Sequence, residues 1–172
     1  MTFLTCKGQE NICMAVIPKA GSTSMEMAIC GHGTGIRVEN HEALSYENSV
    51  MFLRHPITRL TSCFSFFWWL HHYGRVTDIM PIELAANYES FIDHILANRD
   101  PHWQPQVELV RHEGVMVAKT VHKFEELQLH WGKYFKGLLP WANAHSKAVV
   151  TDYRKLDILE YYKDDLNLWG TL

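Results

Sequence analysis

Short apolar runs alternate with polar turns and helix-forming segments along the first third of the chain. Residues 12–17 (ICMAVI) and residues 50–53 (VMFL) are uninterrupted apolar runs with the length of buried parallel strands. Each run leads through a polar turn into a segment of good helix formers. Residues 36–42 begin with alternating apolar and polar side chains, which predicts a short second strand. This order predicts an α/β domain with a mostly parallel central sheet flanked by helices.

Spacings of three and four between apolar residues predict helices further along. Such helices are expected over residues 56–73, 88–98, 124–134 and 151–169, with a further short buried strand at residues 114–118. Apolar residues at this spacing in the 56–73 helix are Ile57, Leu60, Phe64, Phe67 and Trp68. Residues 1–10 are interpreted as a short lead-in. We expect one domain over residues 1–172, without a separate linker.

Charge and cysteine content narrow the range of functions. The net charge of −3 gives no overall basic field for binding nucleic acid or an anionic membrane. Eighteen consecutive apolar residues occur nowhere, so no membrane span is predicted. The four cysteines lack C-x-x-C or metal-finger spacing. Cys13, Cys30 and Cys63 lie in apolar segments and are expected to be small buried residues, with no disulfide framework.

The heptapeptide PKAGSTS at residues 18–24 connects the first strand to its helix. Gly21 allows the backbone to approach a ligand closely. Ser22, Thr23 and Ser24 can cap the helix and present its first N–H groups. With the helix dipole and the ammonium of Lys19, these groups predict a site for phosphate or a similar anion. The alternative is an ordinary strand-to-helix turn; Lys19 precedes Gly21, so this is not a Walker A loop.

A second cationic motif follows the 50–53 strand. Arg54 stands at the carboxyl end of that strand, Pro56 suits a first helical turn, and Ser62 lies about two turns into the helix. Ligands of open α/β sheets bind outside the carboxyl ends of the strands. Two such strand ends are therefore expected to hold two anionic groups of one ligand.

Together, PKAGSTS and the later R-x-P-x-x-R-x-x-S-x-F (residues 54–64) resemble the paired signature of sulfotransferases that use 3′-phosphoadenosine 5′-phosphosulfate (PAPS), most closely the carbohydrate or Golgi-type branch. The likeness extends weakly to residues 102–106, 121–127 and 162–170. It implies a P-loop-like three-layer fold and transfer of a sulfuryl group from PAPS to a hydroxyl, with 3′,5′-ADP as product. Neither motif is highly specific alone, whereas the two in this order and each behind a strand are a strong signal.

The resemblance also assigns roles to residues. Residues 18–24 correspond to the 5′-phosphosulfate loop, with Lys19, Ala20, Gly21, Ser22, Thr23 and Ser24 as nucleotide contacts. Arg54 and Ser62 correspond to the 3′-phosphate motif. Arg59 is expected to face the nucleotide, with pairing to a carboxylate as the alternative. Lys147, in a loop that closes over the nucleotide in related enzymes, is a weaker candidate for a phosphate contact.

Sulfuryl transfer requires a base that removes the proton of the attacking hydroxyl. Family members place a His or Glu between the two PAPS motifs, and His41 is the first candidate here, followed by Glu42 and Glu39. The alternative for His41 is a solvated loop position. His102 is the reserve candidate for the base or for contact with the acceptor.

The acceptor is expected to be a carbohydrate hydroxyl. This expectation follows only from the resemblance to the carbohydrate branch of the family. His102 and Trp103 stand between prolines and predict an exposed aromatic surface for it, with a buried Trp anchoring the loop as the alternative. The sequence offers cations and no carboxylate cluster, so no metal is expected. Cytoplasmic location is expected because a leader and an anchor are missing, or the Golgi lumen for a trimmed form. Oligomeric state is not predicted.

Two other functions remain open at this point. A nucleotide phosphotransferase with an unusual phosphate loop would need Mg²⁺ and would bind ATP. A non-catalytic relative would keep the nucleotide pocket and lack an acceptor cleft, and 172 residues is short for a member of this family.

Overall fold

The computed structural model describes residues 2–8, 11–30, 35–75, 77–81, 83–135, 139 and 151–172. Here the chain forms an α/β fold in which helices flank a five-stranded mixed sheet. The strands of the sheet are β1 (Thr2–Cys6), β2 (Ile12–Ala15), β3 (Gly35–Glu39), β4 (Asn48–Leu53) and β7 (Thr120–Lys123), while β5 (Arg111–His112) and β6 (Val115–Met116) form a separate hairpin. The helices are α1 (Ser22–Cys30), α2 (Asn40–Ala43), α3 (Pro56–His72), α4 (Tyr88–Ala97), α5 (Gln106–Leu109), α6 (Leu127–Tyr134), α7 (Lys155–Tyr161) and α8 (Lys163–Thr171).

The strands are arranged in the order β3-β1-β2-β4-β7. Strands β2, β4 and β7 are parallel neighbours, whereas β1 is antiparallel to both β2 and β3. The prediction of a mostly parallel sheet is therefore not confirmed, because the sheet is mixed. The predicted lead-in is wrong as well: it forms β1, in which the buried apolar side chains among the described residues, Phe3 and Leu4, are too few to give a periodic signal.

One row of paired residues crosses the whole sheet: Arg37, Leu4, Met14, Val50 and Thr120. Because β1 is antiparallel to both of its neighbours, β3 runs in the same direction as β2. The carboxyl ends of β2, β3, β4 and β7 therefore lie at one edge of the sheet, which we call the carboxyl edge.

Alternation along β2 divides the core between the two faces of the sheet. Met14 packs with α1 and α6 on one face, whereas Cys13 and Ala15 pack on the other with α2, α5 and the β5–β6 segment. A third cluster joins α3 and α4 to α7, and its buried aromatic residues are Phe64, Phe67, Tyr88, Phe91, Trp103 and Tyr162.

Three element predictions need correction. The expected buried strand at residues 114–118 contributes only β6, a two-residue strand of the β5–β6 hairpin. The edge of the sheet is formed by β7 instead. The helix expected from residue 124 begins as a 3₁₀ turn (Phe124–Glu126), and Leu129, expected to pack inward, is 73% exposed. The last helix is two helices, α7 and α8. Across the described ranges, the helices are too short or too polar to cross a membrane.

Candidate functional site

The loop between β2 and α1 is a tight turn at the carboxyl edge. Lys19 and Gly21 both adopt left-handed backbone conformations, with φ of 64° and 79°. Between them, Ala20 donates its N–H to the Ile17 carbonyl at 3.1 Å. α1 then begins at Ser22, and the first N–H groups of an α-helix have no acceptor within the helix. Backbone donors of residues 22–24 therefore lie at the start of α1, as the sequence predicted.

Gly21 is required by its neighbours as well as by its backbone conformation. A Cβ built on Gly21 would lie 2.7 Å from Cε2 of Phe124 and 3.3 Å from Leu127. The sequence suggested close approach of a ligand at this glycine; the structure shows that the space beside it is filled by the segment that follows β7.

The Lys19 ammonium is held against an aromatic ring. Its Nζ lies 3.3 Å from the centroid of Phe66, on the third turn of α3. Burial lowers the pKa of Lys19 to about 8; the Cys63 thiol opposes this shift, and Arg54 and Arg59 add to it. Among the described residues, no carboxylate forms a salt bridge with Lys19. A poorly solvated, uncompensated cation is an arrangement that an anionic ligand would stabilise.

Arg54 adjoins this lysine. Its Nη1 donates to the Lys19 carbonyl at 2.7 Å, and its guanidinium carbon lies 5.1 Å from the Phe124 ring centroid. Burial lowers the pKa of Arg54, Glu125 opposes this shift, and Arg59 adds to it. Its Nε and Nη2 donate to no residue in the described ranges. These remaining N–H groups have the planar geometry that binds phosphate oxygens.

Arg59 is turned inward and supports the loops around the site. It is 1% exposed, and its guanidinium donates to the carbonyls of Pro18 at 2.9 Å, Gln104 at 2.8 Å and Pro101 at 2.7 Å. The sequence favoured a nucleotide contact, with a carboxylate as the alternative. In the structure Arg59 instead ties α3 to the β2–α1 loop and to residues 101–104.

A buried hydrogen-bond network, which the sequence analysis did not predict, fixes the backbone of Arg54. The Gln106 side chain accepts from the Arg54 N–H at 3.1 Å and donates to the Arg54 carbonyl at 2.8 Å. Asp165, fully buried in α8, accepts from the N–H groups of Gln106 at 2.8 Å and Val107 at 2.9 Å. Burial raises the pKa of Asp165, and these hydrogen bonds oppose the shift. The available signal was Asp165 itself, a carboxylate on the side of α8 that carries Trp169, three residues after Tyr162.

The hydroxyl groups predicted for the site are distributed between two helices. Ser22, Thr23 and Ser24 form the first turn of α1, where Ser24 is buried and Thr23 exposed. Ser62 is half-buried on α3, one helical turn before Phe66, so it lies on the side of α3 that Lys19 approaches. Its hydroxyl has no hydrogen-bond partner in the described part of the chain.

The predicted base lies at the same edge but not beside Lys19. His41 is exposed in α2, directly after β3, and its ring centroid lies 6.0 Å from that of His112. Strand β1 separates β3 from β2, a separation of two strand spacings, or roughly 10 Å. The Glu42 carboxylate accepts from the Glu39 N–H at 2.9 Å and so caps α2.

The residues proposed for the acceptor do not form an exposed aromatic surface. Trp103 is 1% exposed in the helical cluster, and its indole N–H donates to the Asn98 carbonyl at 2.8 Å. The prediction that this ring is exposed is wrong, and the buried alternative is the observed one, because the ring packs against Phe67. His102 is half-buried, with Nδ1 2.6 Å from Asp100. Lys147 lies outside the described residues.

A further cation stands at the carboxyl edge. Lys123 ends β7, and its Nζ lies 4.3 Å from the ring centroid of Trp169 in α8. His55, next to Arg54, makes an edge-on contact with the same indole at 4.8 Å. The edge therefore presents Lys19, Arg54 and Lys123 at the ends of three neighbouring parallel strands.

Within the described ranges, no group of three or more His, Cys, Asp or Glu side chains could hold a metal ion. Comparison of the chain with protein-family models, curated proteins and solved structures gave no significant match. A functional assignment therefore depends on the two motifs and on the geometry of the carboxyl edge.

Proposed function

We propose that this protein is a sulfotransferase that moves a sulfuryl group from PAPS to a hydroxyl of a carbohydrate by in-line displacement. The observation that carries the proposal is the hydrogen bond from Arg54 Nη1 to the Lys19 carbonyl. It ties the guanidinium to the backbone of the Lys19 loop, so that both cationic residues stand at the ends of adjacent parallel strands, where one nucleotide with two anionic groups could contact both. The P-loop-like description of the fold belongs to the same proposal.

Lys19 and the start of α1 would bind the phosphosulfate end. PAPS supplies the activated sulfuryl group, and the protein supplies positive charge where negative charge grows as that group departs. The ammonium of Lys19 is only partly solvated, so its interaction with an anion is stronger than in water. The N–H groups of residues 22–24 add fixed donors that need no reorganisation.

Arg54 and Ser62 would bind the 3′-phosphate. The Nε and Nη2 groups of Arg54 are available for this contact among the described residues. The Ser62 hydroxyl lies on α3, the helix that begins two residues after Arg54. Gln106 and Arg59 act as positioning residues, because the first fixes the backbone of Arg54 and the second fixes the carbonyl of Pro18. Recognition of the 3′-phosphate would allow the protein to distinguish PAPS from adenine nucleotides that lack this group.

His41 would take the proton of the acceptor hydroxyl. It is exposed at the carboxyl edge, where an acceptor entering from solvent could reach it. Glu42 serves as a cap of α2 and supports the position of His41, while His102 is the reserve candidate. The acceptor would lie between the end of β3 and the Lys19 loop.

Ligand-dependent thermal shifts followed by a transfer assay test this proposal. We expect PAPS and 3′,5′-ADP to raise the unfolding temperature, with no requirement for Mg²⁺, and 5′-AMP and ATP to act weakly. Sulfate labelled with ³⁵S should then move from PAPS to a glycan in a panel of glycans and small alcohols. Stabilisation by MgATP alone would identify a phosphotransferase. Binding of PAPS without transfer to any acceptor would identify a non-catalytic binding protein.

A further inference from the structure

Two cysteines approach each other at the edge of the sheet opposite the carboxyl edge. Cys6 is the last residue of β1 and pairs with Gly35, the first residue of β3. Cys30 is the last residue of α1. A Cβ built on Gly35 would lie 2.9 Å from Cα of Cys30 and even closer to its sulfur. Cys30 therefore occupies the space above Gly35 that a larger residue would fill.

Cys6 projects into the same space. Directly opposed residues of an antiparallel pair project on the same face of a sheet. The Sγ of Cys6 lies 3.5 Å from the Ile29 carbonyl oxygen, and that peptide leads directly to Cys30. A carbonyl oxygen lies about 3 Å from the next Cα, so the Cys6 sulfur is at most about 6.5 Å from the Cys30 Cα. At this sulfur-to-Cα separation, rotation about the side-chain bonds of the two cysteines can bring their sulfurs towards disulfide geometry.

Exposure distinguishes this pair from the other cysteines. Cys30 is exposed and Cys6 half-exposed, whereas Cys13 and Cys63 are buried. Burial raises the pKa of the Cys30 thiol, Glu26 and Cys6 add to the rise, and Arg37 opposes it. Burial raises the pKa of Cys13 and of Cys63 to about 12. The sequence had placed Cys30 among the buried residues, and its exposure at the end of α1 corrects that prediction.

We propose that Cys6 and Cys30 form a reversible disulfide that ties β1 to the carboxyl end of α1. The oxidant is a small-molecule disulfide such as oxidised glutathione. The thiolate of one cysteine attacks a sulfur of the reagent, whose S–S bond breaks and releases one small thiol. The second cysteine, deprotonated, then attacks the mixed disulfide and releases the other small thiol. Two protein thiols are oxidised by two electrons, and the reagent is reduced to two thiols.

The bond would close a loop that contains β2 and the anion-binding residues 18–24. Both ends of α1 would then be fixed, its first turn by the β2–α1 loop and its last residue by β1. A crosslink that closes such a loop lowers the entropy of the unfolded chain. Oxidation is therefore expected to raise the unfolding temperature, independently of any bound ligand.

Thiol counting with peptide mapping tests this proposal. The whole chain is incubated with reduced or oxidised glutathione near pH 8.5, denatured and alkylated. After oxidation we expect two alkylated cysteines instead of four, a crosslinked peptide pair containing Cys6 and Cys30, and an unfolding temperature higher by about 5 °C. Dithiothreitol should reverse all three changes. The double variant C13S/C63S should still form the bond, whereas C6S and C30S should each lose it.

Three results would overturn the proposal. These are four alkylated cysteines after oxidation, glutathione adducts that never resolve to an internal bond, and a crosslink that includes Cys13 or Cys63. Failure of this test would leave the proposed sulfotransferase activity unaffected, because no residue of the nucleotide site takes part in the crosslink.

Discussion

Lys19 keeps a positive charge in a partly desolvated position, above the ring of Phe66 and next to Arg54. In this position the charge has no carboxylate partner among the described residues, and burial lowers its pKa to about 8. Such an arrangement costs folding free energy. The cost is explained if an anion normally shares the site.

Replacing this lysine should separate stability from function. We expect Lys19→Met to raise the unfolding temperature of the ligand-free protein by a few degrees, because Met keeps the contact with Phe66 and removes the charge. Turnover should fall by on the order of a hundredfold or more. Differential scanning fluorimetry and the ³⁵S assay measure the two effects. A less stable variant with normal turnover would refute both expectations.

The lowered pKa of Lys19 also predicts how stability depends on pH. Between pH 8 and the ordinary value of 10.5, the unfolded chain holds a proton that the folded protein releases. The unfavourable contribution of Lys19 is thus complete below pH 8 and declines as the pH rises towards 10.5. Deprotonation of Lys19 over this pH range should raise the free energy of unfolding by roughly 1–2 kcal/mol, which is less than the full pKa shift would give because the side chain is partly solvated.

Urea unfolding of the wild type and of Lys19→Met, at several pH values from 7 to 10, isolates this contribution. The difference in stability between the two proteins should shrink as the pH increases. A constant difference would mean that the Lys19 pKa is not lowered. A saturating anionic ligand should abolish the trend by stabilising the ammonium.

Single-residue environments were only partly predictable from the sequence. Lys19 and Arg54 could be placed because each directly follows a strong apolar strand run, and the ends of such strands meet at one edge. The burial of Arg59 and Trp103 could not be predicted. It depends on the path of residues 98–106, which supply backbone carbonyls to both side chains.

At the scale of the elements, two arginines near the start of α3 have opposite surroundings. Arg54 precedes the helix and retains donors that are unpaired among the described residues, whereas Arg59 lies inside the helix with three carbonyl partners. The start of the helix therefore combines the side proposed to bind the nucleotide with a side that supports the loops. The two arginines of the motif R-x-P-x-x-R therefore stand in two different physical environments.

A pair of matched variants tests this division. Arg59→Met should lower the free energy of unfolding by roughly 3–5 kcal/mol, because three buried carbonyls lose charged donors. Arg54→Met should cost no more than about 1 kcal/mol, since only one such bond is lost. Urea denaturation measures both. Equal losses in the two variants would contradict the separate roles.

The elements that were predicted correctly are those with long or uninterrupted apolar patterns. β2, β4, α3 and α4 are found close to their expected positions because each buries several side chains in sequence. β1, the β5–β6 hairpin and the break between α7 and α8 were missed. The strands of the hairpin are only two residues long, and β1 pairs with a strand that is distant in the sequence, as Thr2 and Glu39 show.

At the scale of the molecule, the mixed sheet decides which candidates can act together. Because β1 lies between β3 and β2, His41 and Lys19 share the carboxyl edge but stand two strand spacings apart. From the sequence we predicted a mostly parallel sheet, with residues 1–10 as a lead-in outside it. The insertion of β1 was not foreseeable, since its pairing involves only five residues at the start of the chain.

His41 can be tested without disturbing the fold, because its side chain is exposed. We expect His41→Ala to bind PAPS as the wild type does and to lose turnover by roughly a hundredfold, the usual contribution of a general base. His102→Ala, changed in parallel, is the matched control. Undiminished turnover in the His41 variant would end the assignment, and a loss confined to the His102 variant would transfer the role to that residue.

Isothermal titration of the protein with 3′,5′-ADP and with 5′-AMP is the most direct test, because the ligands differ only in the phosphate assigned to Arg54. The wild type should bind 3′,5′-ADP at least about tenfold more tightly, and Arg54→Met should remove that preference, as the charge-assisted hydrogen bonds are lost. Equal affinities of the wild-type protein for the two nucleotides would contradict the account.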